Sequence, residues 1–125
     1  MIFWYEDLYM DSYVVKDERK CKKIIEERCC YKKGLKKKWK ENLAPWNTNY
    51  ELLILANNKE NLFEIINTKQ MFFSYYSMSD IYVVGVAKHY EGAVEILRKI
   101  MDSGYREDDH YDPRVQFTKE HFSRR

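Results

Sequence analysis

The amino-acid sequence predicts an α+β domain, and three observations carry that expectation. Ile2 to Met10 is dense in aromatic and aliphatic residues with β preference. Ile81 to Ala87 is an uncharged, Val- and Ile-rich run bounded by Asp80 and Lys88, the pattern of a buried strand. From Tyr90 onward the spacing turns helical. Tyr90, Ala93, Val94, Leu97, Ile100 and Met101 fall on one face, Glu91, Glu95, Arg98, Lys99 and Asp102 on the other, and Gly104 stands where the run should end.

The remaining elements follow in chain order. The first strand ends at Asp11-Ser12, where turn chemistry begins. Val14 to Lys33 reads as a helix, with Cys21, Ile25 and Cys29 at intervals of four, Ile24 beside them and Gly34 as its C-cap. Leu35 to Trp46 is Lys-rich, carries Trp39 and Trp46, and is broken by Pro45 before the loop Asn47-Thr48-Asn49. Tyr50 to Ala56 and Leu62 to Asn67 form a hairpin around a polar loop. Asn67 followed by Gln70 has capping-box spacing and predicts a short helix through Met71 to Tyr76, although the β-rich pairs Phe72-Phe73 and Tyr75-Tyr76 leave a strand as the alternative over 69–78.

Residues 1–105 therefore read as a single α+β domain, and 106–125 as a polar C-terminal tail with a short edge strand at Val115 to Thr118. The order βαββαβ with an additional C-terminal helix matches the ferredoxin-like, split βαβ arrangement. In that arrangement helices cover one sheet face only, so the strands should alternate apolar with polar. These do not: Ile81, Val83 and Ala87 oppose Tyr82, Val84 and Val86, and Leu52 and Ile54 oppose Leu53 and Leu55. Both faces need cover, which the last helix or a second subunit would supply.

With 125 residues, 45% of them apolar and 16% aromatic, and only 4 Gly and 2 Pro, the chain is neither a disordered tail nor a low-complexity polymer. No uncharged stretch approaches the roughly 18 apolar residues of a membrane span. The opening Met1-Ile2-Phe3-Trp4-Tyr5-Glu6-Asp7 lacks a basic n-region and meets two acids where a signal peptide keeps its apolar core. The cysteines are odd in number, Cys21, Cys29 and Cys30. The expectation is a cytoplasmic protein in a reducing compartment, with no membrane contact.

The formal net charge of +2 conceals an asymmetry. Lys16 to Lys40 holds twelve basic and four acidic residues, a local +8, which leaves −6 on the rest of the chain. Lys32, Lys33, Lys36, Lys37, Lys38 and Lys40, with Trp39 and Trp46 to stack bases, form a candidate nucleic-acid surface. Against it stands a solvated helix face and loop, since lysine provides no bidentate reader. The RNA-recognition signature of a basic residue, glycine and alternating aromatics is missing from Leu62-Phe63-Glu64-Ile65-Ile66-Asn67.

Lys88 and His89, between the last strand and the last helix, are the candidate small-anion or enzyme site, because helix N-termini attract anions. The surrounding Gly85 to Gly92 is neither a dinucleotide fingerprint nor a Walker loop. Cys29 and Cys30 are helical neighbours pointing about 100° apart, without a Cys-x-x-Cys partner, so they predict no metal. Glu107, Asp108, Asp109, His110 and Asp112 lack calcium-loop spacing. No Ser or Cys has a nucleophile context, no catalytic residue is assigned, and no cofactor is expected. The leading reading is a small cytosolic, non-catalytic interaction or regulatory protein acting as a homodimer. Nucleic-acid binding through 16–40 is the first alternative and an anion site at Lys88 and His89 the second.

Overall fold

A computed structural model of the chain describes residues 2–29, 49–56, 62–72, 80–107 and 116–124. It is a mixed α/β structure built on five strands: β1 (Ile2–Met10), β2 (Glu51–Leu55), β3 (Phe63–Asn67), β4 (Ile81–Ala87) and β5 (Phe122–Ser123). Among the described residues they are accompanied by the α-helices α1 (Ser12–Val15), α2 (Glu18–Cys29) and α3 (Tyr90–Glu107), with 3-10 turns at Thr68–Phe72 and Lys119–His121.

The sheet order is β3-β2-β4-β1-β5, with β1 and β4 parallel at its centre and the other pairings antiparallel. This differs from the ferredoxin-like order that the sequence predicts. The reason lies in burial: Ile81, Val83, Val84, Val86 and Ala87 are all buried, whereas β3 buries only Ile66. A strand apolar on both faces belongs inside the sheet, and a half-polar one belongs at its edge.

Both faces of the sheet are covered by the chain itself. On one side Val14 of α1 and Cys21, Ile24 and Ile25 of α2 pack on Ile2, Trp4, Leu52, Ile54, Ile66, Ile81, Val83 and Val86. On the other, Ala93, Ile96 and Ile100 of α3 join Phe117 and Phe122 over Tyr5, Leu53, Val84 and Ala87. The need for cover that suggested a second subunit is thus met within the described residues. Leu52 and Ile54 oppose Leu53 and Leu55, as the alternation predicts. In β4 the alternation slips. Leu53 and Ile54 pair with Gly85 and Val83, so Val84 is an extra residue, a β-bulge that sends Val86 to the α2 side and Ala87 to the α3 side.

The helices show where local chemistry prevailed over periodicity. The single helix expected from Val14 to Lys33 is two, because the side chains of Asp11 and Asp17 each cap a start: Oδ1 of Asp11 accepts from the Val14 N–H at 2.8 Å, and Oδ1 of Asp17 accepts from the Lys20 N–H at 3.3 Å. Residues 30–34, with the expected C-cap, lie outside the described residues. The capping box is present: the Asn67 N–H donates to Gln70 Oε1 at 2.7 Å, and the Lys69 N–H donates to Asn67 Oδ1 at 2.9 Å. It opens the 3-10 turn Thr68–Phe72, which packs beside α2; residues 73–76 of the predicted short helix lie outside the described residues.

α3 runs through Gly104 to Glu107 rather than stopping there, and its buried face is Ala93, Ile96 and Ile100, with Tyr90 left exposed. Gly85 sets how closely α3 lies, since a Cβ there would meet Ile96 Cγ2 at 3.0 Å and Tyr9 Cβ at 3.4 Å. The polar tail also contributes to the core: Phe117 and Phe122 are buried, and the edge strand lies at Phe122–Ser123, while 116–118 of the expected Val115 to Thr118 strand are not strand and Val115 lies outside the described residues. Gly85→Ala should destabilise the fold by about 1–3 kcal/mol through overpacking between β4 and α3, read as a lower urea midpoint at unchanged slope.

Candidate functional site

Because β1 and β4 run parallel, their C-terminal ends lie side by side, with Met10 opposite Val86. Beyond them the chain diverges: β1 leads to α1 and α2 on one face, β4 to α3 on the other. In open α/β sheets such a divergence leaves a crevice outside the strand ends, where ligands bind. Here the position is organised by Asp11. Its N–H donates to the Val86 carbonyl at 3.3 Å, its Oδ1 caps α1, and its Oδ2 accepts from the Lys88 N–H at 2.8 Å. One carboxylate therefore holds both departing turns. Gly92 admits it, since a Cβ at that position would stand 3.0 Å from Ala87 Cβ and 3.3 Å from Asp11 Oδ2.

Lys88 and His89, adjacent in sequence, serve different neighbours. The Lys88 ammonium donates to the Asn49 carbonyl at 3.3 Å and lies 5.0 Å from the Tyr50 ring centroid, tying β4 to the entry of β2. There the buried Thr68 hydroxyl donates to Asn49 Oδ1 and accepts from the Tyr50 N–H, both at 3.2 Å. The His89 carbonyl accepts from the N–H groups of Gly92 and Ala93 at the start of α3. Its exposed ring meets Tyr13 edge-on at 5.8 Å, and Lys16 Nζ stands 5.7 Å from the same tyrosine ring. The Lys88 N–H, which the sequence offers to an anion, is occupied by the chain's own carboxylate.

The corner also carries the large hydrophobic side chains left outside the core. Among the described residues these are Tyr13 at 59%, Val15 at 59% and Tyr90 at 57% exposure, on α1 and at the first position of α3. The sequence places Tyr90 on the buried face, marks Asp11 only as the end of the first strand, and does not single out Tyr13 or Val15. Asp11 lies 77 residues from the amide it binds, so no local signal joins them.

Away from this corner, an open cleft of about 670 Å³ lies where β1 departs from β4 between Trp4 and Tyr9. Tyr5, Glu6, Asp7, Leu8, Met10, Glu18, Lys22 and Ser123 line it. Several of its charges are engaged within the chain: Glu6 Oε1 with His121 Nδ1 at 2.8 Å, and Glu18 with Lys22 at 3.0 Å, whose Nζ also lies 5.4 Å from the Trp4 ring centroid. The Trp4 indole N–H donates to Glu26 at 2.9 Å. Burial pushes the Tyr5 hydroxyl above the ordinary tyrosine range, with a hydrogen bond to Gln116 acting the other way.

The candidate nucleic-acid residues Lys32, Lys33, Lys36, Lys37, Lys38, Trp39, Lys40 and Trp46 lie outside the described residues, as do Cys30 and the side chains of Cys29 and the Glu107 to Asp112 cluster. Cys21 is buried and unbridged. No described helix is long and apolar enough to cross a membrane. Compared with known proteins, the chain matches no family model, no curated protein and no solved structure.

Asp11→Ala leaves two backbone N–H groups without their acceptor. It should cost about 1–3 kcal/mol in chemical unfolding, and the Lys88 and Val14 amides should lose hydrogen-exchange protection before the β4 core does.

Proposed function

We propose that this chain is a small interaction protein, acting by association rather than by bond-making chemistry, and that it presents the Tyr13, Val15 and Tyr90 corner to a protein partner. One observation carries the reading: both sheet faces are closed by the chain's own helices, yet three large apolar side chains remain more than half exposed and gather at one end of the sheet. Aromatic residues are enriched in interfaces, where their area anchors binding and their polar tips tolerate water when unbound. The corner is also held in place, because Asp11 fixes both turns that carry it.

The test compares wild type with a Tyr13→Ser, Val15→Ser, Tyr90→Ser variant. All three sites are exposed, so stability should change little. A protein retained by wild type, identified and purified, should bind the variant at least tenfold more weakly in calorimetry. Equal affinity for both chains would contradict the proposal, as would the absence of any retained protein.

The second reading, nucleic-acid binding, draws on the exposed ring of Tyr13 beside Lys16, the first residue of the +8 segment that runs to Lys40. It predicts binding of a single-stranded oligonucleotide that weakens steeply with salt, with quenched tryptophan fluorescence. Absence of binding at low salt eliminates it.

A further inference from the structure

The two edges of the sheet are managed differently. β5 is a two-residue edge, too short to template another chain. β3, the opposite edge, is five residues of regular strand, Phe63-Glu64-Ile65-Ile66-Asn67, with no proline, no lysine and no bulge in its pairing with β2. The direction of its main-chain groups follows from two hydrogen bonds that bracket it: the Ala56 N–H donates to the Leu62 carbonyl and the Thr68 N–H to the Tyr50 carbonyl. In an antiparallel ladder every second residue bonds the same neighbour, so Leu62, Glu64, Ile66 and Thr68 face β2 while Phe63, Ile65 and Asn67 face outward. The Asn67 N–H is taken by Gln70. The amides and carbonyls of Phe63 and Ile65 have no partner among the described residues.

We propose that this edge pairs with the same edge of a second copy, β3 against β3, antiparallel about a two-fold axis at Ile65. The segment is self-complementary in that register. Ile65 opposes the partner's Ile65 as a hydrogen-bonded pair exchanging two main-chain bonds, Phe63 opposes the partner's Asn67, and Glu64 opposes the partner's Ile66. Sliding the pair by two one way would set Glu64 against its own copy at the close, non-hydrogen-bonded spacing, where like charges repel, and sliding it the other way would put Phe63 opposite Lys69, beyond the end of the partner's strand. On the α3 side, Phe63 and Ile65 already belong to the apolar cluster, Phe63 meeting Phe117 edge-on at 5.7 Å. Pairing would carry that layer across the axis into a ten-stranded sheet. An isologous contact of this kind closes on itself and leaves only the two-residue β5 at each outer end of the sheet. The inference rests on the reading of the chain as an interaction protein and supplies its geometry: the β3 edge is separate from the Tyr13 and Tyr90 corner, so a dimer presents two corners.

Cysteine cross-linking tests the register, in a Cys29→Ser, Cys30→Ser background at tens of micromolar protein. Paired Ile65 Cα atoms lie about 5.5 Å apart, within disulfide reach, so Ile65→Cys should yield a covalent dimer under mild oxidation. Phe63→Cys alone should not, because its copy lies about 13 Å away along the strand, whereas a mixture of Phe63→Cys and Asn67→Cys should. In light scattering the wild type should have twice the mass of the chain, and Ile65→Pro, which removes an outward N–H but no bond to β2, should be a folded monomer by circular dichroism. Three results would each overturn the proposal: a wild-type monomer, cross-linking that favours Phe63→Cys over Ile65→Cys, or a monomer whose Ile65 amide is protected by another part of the same chain. None of them touches the corner, whose failure is read separately from the serine variant.

Discussion

Ile81 to Ala87 carries no charge and offers no face that water can share, so β4 has to lie inside a sheet covered on both sides. Each larger feature answers that requirement. A parallel neighbour, β1, and an antiparallel one, β2, take its main-chain groups; α2 covers one side and α3 the other. The parallel pairing makes β1 and β4 end together, and the need for helices on both faces makes the chain part there in opposite directions. The corner at the strand ends is thus a consequence of how the core is closed.

Asp11 converts that divergence into a defined surface. Both departing turns present main-chain N–H groups, and a single carboxylate takes one from each, while Gly92 leaves room for it. The result is a corner whose polar backbone is satisfied and whose large side chains, Tyr13, Val15 and Tyr90, point away from the core. Such a surface suits recognition by contact area. Its fixed turns reduce the ordering that binding would otherwise require.

Much of this was legible in the residues, and the exceptions share a cause. The helix α3 with Ala93 and Ile100 on its buried face, the β2–β3 hairpin and the Asn67–Gln70 capping box were readable because each is a local pattern of period or spacing, whereas the buried Ile96 of α3 was missed. The opposed faces of β2 were readable for the same reason. The β4 bulge was not: it depends on how Leu53 and Ile54 meet a neighbouring strand, and it exchanges the faces of Val86 and Ala87. The strand order, the burial of Phe117 and Phe122 in an otherwise polar tail, and the bond from Asp11 to Lys88 likewise depend on partners far away in the chain. Tyr90 fits the apolar periodicity yet is exposed, because a helix's first residue stands beyond the sheet its later turns cover. The position of Lys88 and His89 between β4 and α3 was legible in the sequence, but the residues that give the turn its form, Asp11 between β1 and α1 and Gly92 in α3, were not joined to it by any local pattern.

Native-state hydrogen exchange tests the central claim most directly. If β4 is enclosed on both faces and paired on both edges, the amides of Val83 and Val86, on either side of the bulge, should exchange only through global unfolding, with a free energy equal to that from chemical denaturation. Exchange of those amides through a smaller, local opening, faster than that of α2 or α3, would contradict the account.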